Sequence, residues 1–373
     1  MLQVKRPAGA LVAIVTAMNV AVAQAQTADF CPMGLSSPFG FGPAFNTEEV
    51  RPYECPDIVA PVVSLDVASR YDQDVETKDQ EDADAAAAYE AQMMLIRDYQ
   101  RNLIRAANTA MRDSKRGQAA VACAADHMVT WAAADALSDM QSHTANQNRG
   151  QFLASFALAW LQVRDRVADA DERAVVEAWL GRLADSTMMY METRKDKTSG
   201  RNNHRYWAGL ATAASGIVTD RCELYRWGVS ALDLAIEQVN DDGYLPLEIG
   251  RGQRALEYHM FALGPLMFLA LLEKQQGRDR LDDRDGALRR LVENVAKGVV
   301  DPSEIATLAG AEQRKPDGDA GMPASHRLSW AELLLELDPE FALGFSIETI
   351  RPIGLSGLGG NLTMLLRHEE DEQ

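Results

Sequence analysis

The chain is short of the residues that several common chemistries need. Cysteine occurs four times and histidine six times in 373 residues. Cys31, Cys55, Cys123 and Cys222 do not have zinc-site spacing, and neither His204 nor His259 belongs to an HExxH pair, so no metal site is expected. β-branched runs with period two are scarce, which disfavours a sheet architecture. Nothing marks two carboxylates facing each other across a cleft, as glycoside hydrolysis requires. The run from Gly354 to Gly360 lacks the preceding strand and the Lys-Ser/Thr of a phosphate-binding loop, and no cofactor is implied. Positive charge is also in deficit: 37 Lys and Arg against 55 Asp and Glu give a net charge of −18, so no nucleic-acid partner is expected. An anionic ligand is not thereby excluded, because a cleft is governed by its local charges.

The N-terminus has one clear pattern. Lys5 and Arg6 precede an apolar stretch from Ala8 to Val22, and Ala23-Gln24-Ala25 fits a small-x-small cleavage site. Residues 1–25 therefore read as a secretory signal, with cleavage near Ala25 and a periplasmic or secreted product. The apolar run is short for a membrane span, so no membrane anchor is expected. Four cysteines in an oxidising compartment permit two disulfides in three pairings, among which these spacings do not choose.

Residues 26–62, rich in Pro, Gly and Phe, read as an extended arm. Residues 69–84 are polar, without apolar periodicity, and read as a lid. From Ala85 to about Leu337 apolar residues recur at three- and four-residue spacing. Helices are expected near 86–113, 119–140, 149–168, 171–193, 205–218, 221–239, 253–274, 285–298 and 324–337. The expected fold is all-α: an α/α toroid, an incomplete barrel of helical hairpins, spanning residues 63–367. An irregular bundle is the other possibility. Leu362–Leu366 reads as an extended stretch and 368–373 as a solvated acidic tail.

Two segments carry polar groups suited to proton transfer on an anion: Asn202-Asn203-His204-Arg205-Tyr206-Trp207, and Arg251 through His259. Arg251 and Tyr258 are seven residues apart, which places both on one face of a helix. A guanidinium there lowers the phenol pKa and makes Tyr258 a usable acid or base. Removing the C5 proton of a uronic acid builds charge on its carboxylate, and Asn and Arg donors stabilise that charge. A base takes the proton and an acid protonates the departing O4. Asn203, His204, Arg251 and Tyr258 thus form a coherent set for β-elimination of a polyuronate. Tyr71 is a candidate substrate contact because its segment has no core to join. Of Tyr206 and Trp207, one is expected in the core and at most one at the cleft, and Arg149 and Arg205 are candidate cations.

Asn202-Asn203-His204-x-Tyr206-Trp207-Ala208 and Gly243-Tyr-Leu-Pro-x-Glu248-x-x-Arg251-x-Gln-Arg-Ala-Leu-x-Tyr258-His259 resemble the alginate lyases of polysaccharide lyase family five. Ser69-x-Tyr71, His143-Thr144 with Arg149, and Leu358-Gly359-Gly360 extend the resemblance. It implies metal-independent cleavage of a β-1,4-linked polyuronate, with Asn203 and Arg251 at the carboxylate, His204 there too or acting as base, and Tyr258 as the acid or, for syn elimination, both acid and base. It implies substrate contacts at Arg70, Tyr71, Arg149, Tyr206, Trp207, Arg254 and His259. It also implies a Cys55–Cys123 disulfide, with Cys31 and Cys222 paired or free. The partner is an acidic polysaccharide, and a monomer is expected.

Departures surround the motif. Leu247 and Gly250 stand where the family usually has Asn and Lys, and Asn146 where it has Lys. Gln151 replaces a common Trp, Phe261 a Tyr and Gly357 an Arg, while Arg70 replaces a lid lysine. Retained chemistry with altered subsites follows, on mannuronan or a related polymer such as glucuronan. The alternative is a non-catalytic periplasmic protein that binds acidic polysaccharide on the same fold.

Overall fold

The computed structural model describes residues 34–40, 42–315, 317–318 and 321–366. The expected signal segment, Cys31 and the acidic tail lie outside the described residues. Twelve helices carry the described fold: α1 (Ala83–Arg112), α2 (Gly117–Ala133), α3 (His143–Val163), α4 (Ala170–Glu192), α5 (Asn203–Thr219), α6 (Cys222–Gln238), α7 (Pro246–Ile249), α8 (Ala255–Gln275), α9 (Asp283–Val300), α10 (Ser303–Ala309), α11 (Ser329–Leu337) and α12 (Leu362–Leu366). The architecture is the α/α toroid that the periodicity and the resemblance imply.

Helix α5 is the hub, packing against α3, α4, α6 and α8. It begins because the Asn202 side chain accepts from the His204 N–H at 3.2 Å, and it ends at Asp220 in the left-handed region. Its packing on α6 depends on missing side chains. A Cβ on Gly228 would lie 2.5 Å from the Ala213 nitrogen, so only glycine permits this approach. Helix α8, with its preceding turn, is long and apolar enough to cross a membrane, yet 83% of that stretch is buried inside the fold. It is a core helix with Phe268 and Leu269 fully covered.

Several boundaries differ from the sequence reading. Helix α2 stops at Ala133, not 140, because Asp135 and Leu137 take positive φ. The chain then forms a two-residue strand, β2 (Asp139–Met140), parallel to β1 (Ser64–Leu65). Helix α3 starts at His143, six residues early, since the Ser142 hydroxyl accepts from the Ala145 N–H at 3.1 Å. Leu362–Leu366 is helical, not extended. Before it, β3 (Gly354–Leu355) and β4 (Gly360–Asn361) form an antiparallel pair. The carbonyl of Gly359 accepts from Asn108 at 2.9 Å and Gln162 at 2.8 Å, so the Gly-rich run is a structural latch.

The described residues 35–40 and 42–62 hold no helix or strand. They are tied down by side chains from the helices: Trp131 donates to the Val59 carbonyl at 2.8 Å, and Arg166 to that of Pro43 at 3.0 Å. The Cys55–Cys123 disulfide is present, and Cys222 is also disulfide-bonded. A group close enough to hold a metal, Cys55, Cys123 and His127, has its two sulfurs bonded to each other.

Candidate active site

Three pieces of chain converge: the N-terminus of α5, the turn from α7 into α8, and the segment before α1. The turn carries Glu248 and Arg251, and Gly252 takes φ +55. A Cβ at Gly252 would sit 3.2 Å from the Asp79 carboxylate, so glycine lets the lid segment settle on the turn. Arg251 Nη2 fastens it by donating to the Lys78 carbonyl at 2.8 Å. Tyr71 and Glu81 bridge across the lid, and the Tyr258 hydroxyl donates to the Tyr71 hydroxyl at 2.7 Å.

Arg251 and Tyr258 meet, though not as two points on one helix. Arg251 precedes α8, and its guanidinium lies flat over the phenol, 3.6 Å from the ring centroid. The expected effect on acidity is reversed. Burial raises the Tyr258 pKa first and Tyr71 raises it further, while Arg251 and Arg254 pull it down by less. Tyr258 is therefore a protonated phenol in the free protein, held ready as an acid.

Asn203 is fully buried, and its carboxamide is held by Glu248. Burial lowers His204 from 6.5 to about 3, with Arg251 and then His143 adding to the effect, so this imidazole is neutral. Three of the four expected catalytic residues each leave a buried polar atom without a partner: Asn203 Oδ1, His204 Nδ1 and Arg251 Nε. Buried polar atoms of this kind call for a partner, and a ligand or an ordered water can supply it.

A cavity of about 420 Å³ opens beside Tyr258, walled by Arg70, Tyr71, Arg254, Phe261 and Arg327 among others. Three of its arginines are already paired with carboxylates. Glu257 accepts from Arg254 at 2.7 Å and from Arg327 at 2.9 Å, and Glu81 lies 3.4 Å from Arg70. Glu248, bonded to Asn203, and Glu257 are thus both engaged with site residues. For Glu257 the i, i+3 spacing from Arg254 was the available signal.

Other expected contacts lie in the interior. Tyr206 and Trp207 are 1% and 2% exposed, so neither can stack on a sugar. Tyr206 donates to Gln238 at 2.7 Å, and the Trp207 ring packs 5.2 Å from Phe261. His259 is fully buried; its Nε2 accepts from the Leu245 N–H at 3.1 Å, so its proton sits on Nδ1 and goes to the Ala255 carbonyl. Arg205 stacks 3.6 Å over Trp227 and caps the Trp227 carbonyl. Arg149 is different. It is 4% exposed, reaches only the Asn146 carboxamide at 3.1 Å, and leaves Nε unpartnered.

A sequence profile of the alginate lyase family matches residues 52–305. The chain belongs to the alginate lyase family. An alginate lyase of Pseudomonas aeruginosa is 30% identical over 371 residues, covering 97% of this chain and 96% of that one. A polysaccharide lyase of Stenotrophomonas maltophilia is 34% identical over 254 residues, covering 67% of this chain and 73% of that one. Among solved structures, a variant of alginate lyase A1-III complexed with tetrasaccharide aligns with TM-score 0.73 at 24% identity, covering 86% of this chain and 88% of that one. Alginate lyase A1-III from Sphingomonas species A1 aligns with TM-score 0.70 at 23% identity, over 94% of each chain. Membership makes the chain a polysaccharide lyase by class.

Proposed function

We propose that this lyase cleaves a β-1,4-linked polyuronate, mannuronan or a related polymer such as glucuronan, by β-elimination. The observation that carries the reading is Arg251 over the Tyr258 ring, with the Tyr258 hydroxyl bonded to that of Tyr71 on the cavity wall, together with a neutral His204 and a buried Asn203 at the start of α5. A carboxylate placed against Arg251 and Asn203 has its charge offset, which makes the neighbouring C5–H more acidic. Neutral His204 takes that proton or, for syn elimination, Tyr258 takes it after its own proton has passed to solvent on substrate binding. The C5–H electrons form the C4–C5 double bond, the C4–O4 bond breaks, and the Tyr258 hydroxyl protonates O4. One chain becomes two, one bearing a 4,5-unsaturated uronate end. The steps require no metal or cofactor.

Alginate lyases among the relatives support the substrate class. The changed residues Asn146, Leu247, Gly250, Phe261 and Gly357 support subsites shaped differently from theirs. The signal-like N-terminus, with the disulfides, supports a periplasmic or secreted protein.

The deciding experiment follows ultraviolet absorbance of the conjugated double bond on polymannuronate, polyguluronate, glucuronan and hyaluronan separately. Growth on any one establishes elimination and names the substrate. No growth on all four, with folded protein that binds them, replaces this reading with non-catalytic binding. Strict preference for polymannuronate removes the case for altered subsites.

A further inference from the structure

Glu248 is wholly buried, yet no arginine or lysine bonds to it among the described residues. Its carboxyl is gripped by one residue. The Asn203 backbone N–H donates to Oε1 at 2.8 Å, and Asn203 Nδ2 lies 3.0 Å from Oε1 and 3.2 Å from Oε2. In that orientation two groups are poorly served. A carboxylate is buried without a cation in direct contact, which is costly. The Asn203 oxygen is buried with no partner. It is an acceptor in a site expected to receive an anion, which it would repel.

We propose that Glu248 works as a neutral acid and is the positioning residue that turns the Asn203 carboxamide, nitrogen outward, toward a bound carboxylate. The proposal rests on the polyuronate reading of the site. The oxygen and nitrogen of a carboxamide occupy equivalent space, so the amide can face either way without moving its neighbours. One proton on Glu248 decides which. With Oε2 protonated, its O–H donates to the Asn203 oxygen while Oε1 still accepts from the Asn203 N–H. The Asn203 NH₂ then occupies the place of the unpartnered oxygen and offers donors to the substrate. A single proton removes the buried anion, satisfies the stranded oxygen and aims a donor at the charge that grows during C5 deprotonation.

The surroundings favour that proton. Burial raises the Glu248 pKa, with the Asn203 bonds and then Arg251 opposing it. The groups that act on Glu248 are Arg251 from its own turn and Asn203 and Tyr206 from α5; Tyr206 stays a neutral phenol, raised well above its usual range by burial. A substrate carboxylate arriving at Arg251 neutralises the one opposing cation. The sign follows: Glu248 is protonated below its folded pKa, so activity falls as pH rises through it.

The test is Glu248→Gln, a neutral isostere that accepts from the Asn203 N–H and donates to Oδ1. It should keep kcat/KM within about tenfold of wild type, since the donor stays in place. It should also lose the alkaline limb that wild type shows. Glu248→Ala, which leaves the amide unheld, should lose about 10²-fold, mainly in kcat. Infrared difference spectra of substrate-free wild type minus Glu248→Gln at neutral pH should contain the carbonyl band of a protonated acid. A carboxylate band instead, or a folded Glu248→Gln as inactive as Asn203→Ala, overturns the proposal. Failure of Glu248→Gln to fold overturns it too, because a neutral isostere should then suffice. Should wild type cleave no polymer, the lyase reading fails on its own, and the infrared band still decides the state of Glu248.

Discussion

Replacing Tyr258 by phenylalanine removes one oxygen from the site and little else. The ring keeps its place under Arg251, because the 3.6 Å stack needs only the aromatic face. The bond lost is the 2.7 Å contact with the Tyr71 hydroxyl, which still receives a hydrogen bond from Arg70 at 3.0 Å and is not stranded. One neutral hydrogen bond is worth about 1 kcal/mol net, so stability should change little. The thermal midpoint should move by no more than about 4 °C. Activity should collapse. Each proton transfer by a placed side chain contributes about 10²–10⁴-fold, and in syn elimination one hydroxyl serves two transfers. A loss of at least about 10⁴ in kcat, or roughly 5.5 kcal/mol of barrier, follows. Tyr71→Phe is the control: it leaves the Tyr258 hydroxyl and removes one neighbour, so about tenfold should be lost. Both are read from initial rates of double-bond absorbance, with melting curves on the same samples. Tyr258→Phe retaining a tenth of wild-type kcat, or Tyr71→Phe being equally inactive, would refute the assignment of the acid to Tyr258.

His204 titrates at about 3, so it should contribute no ionisation to the rate profile between roughly pH 5 and 8. A limb in that window that disappears in His204→Ala counts against a neutral imidazole. The Cys55–Cys123 disulfide closes a separation of 68 residues, for which loop entropy gives about 4 kcal/mol. Paired serine replacements should lower the melting temperature by about 10 °C, and a shift under 2 °C would mean the arm is held by its other bonds.

Much of the fold was legible because alanine and leucine repeat at helical spacing through long segments. Errors fell where tertiary geometry overrode that pattern. The apolar run continues past Ala133, but positive φ at Asp135 and Leu137 breaks the helix, and only the pairing with β1 explains why. At the site, the motifs picked out Asn203 and His204, which open α5, and Arg251, which lies over the Tyr258 ring. The sign of the Tyr258 shift was not legible. A sequence displays the nearby arginine, while burial and a tyrosine 187 residues away are products of folding. Tyr206 and Trp207 failed for a related reason: α5 is packed by helices on several sides, so adjacent positions are both interior.

Arg149 poses the remaining question of charge. Arg70, Arg254 and Arg327 on the cavity wall have carboxylate partners, whereas the buried Arg149, outside that wall, has only a carboxamide among the described residues. Burial alone lowers its pKa from 12.5 to about 10, which corresponds to about 3 kcal/mol spent on desolvating the cation. A protein that needed Arg149 only for packing would do better with an apolar chain of the same length. Arg149→Met should therefore raise the melting temperature of the free protein. If the unpartnered Nε is kept for a uronate carboxylate, the same variant should raise KM at least about tenfold while leaving kcat near wild type. A variant that melts lower and keeps its KM would make Arg149 structural, with Asn146 as its working partner. Opposite movement of stability and affinity is hard to produce by misfolding, which lowers both, so the pair of measurements separates a binding cation from a supporting one.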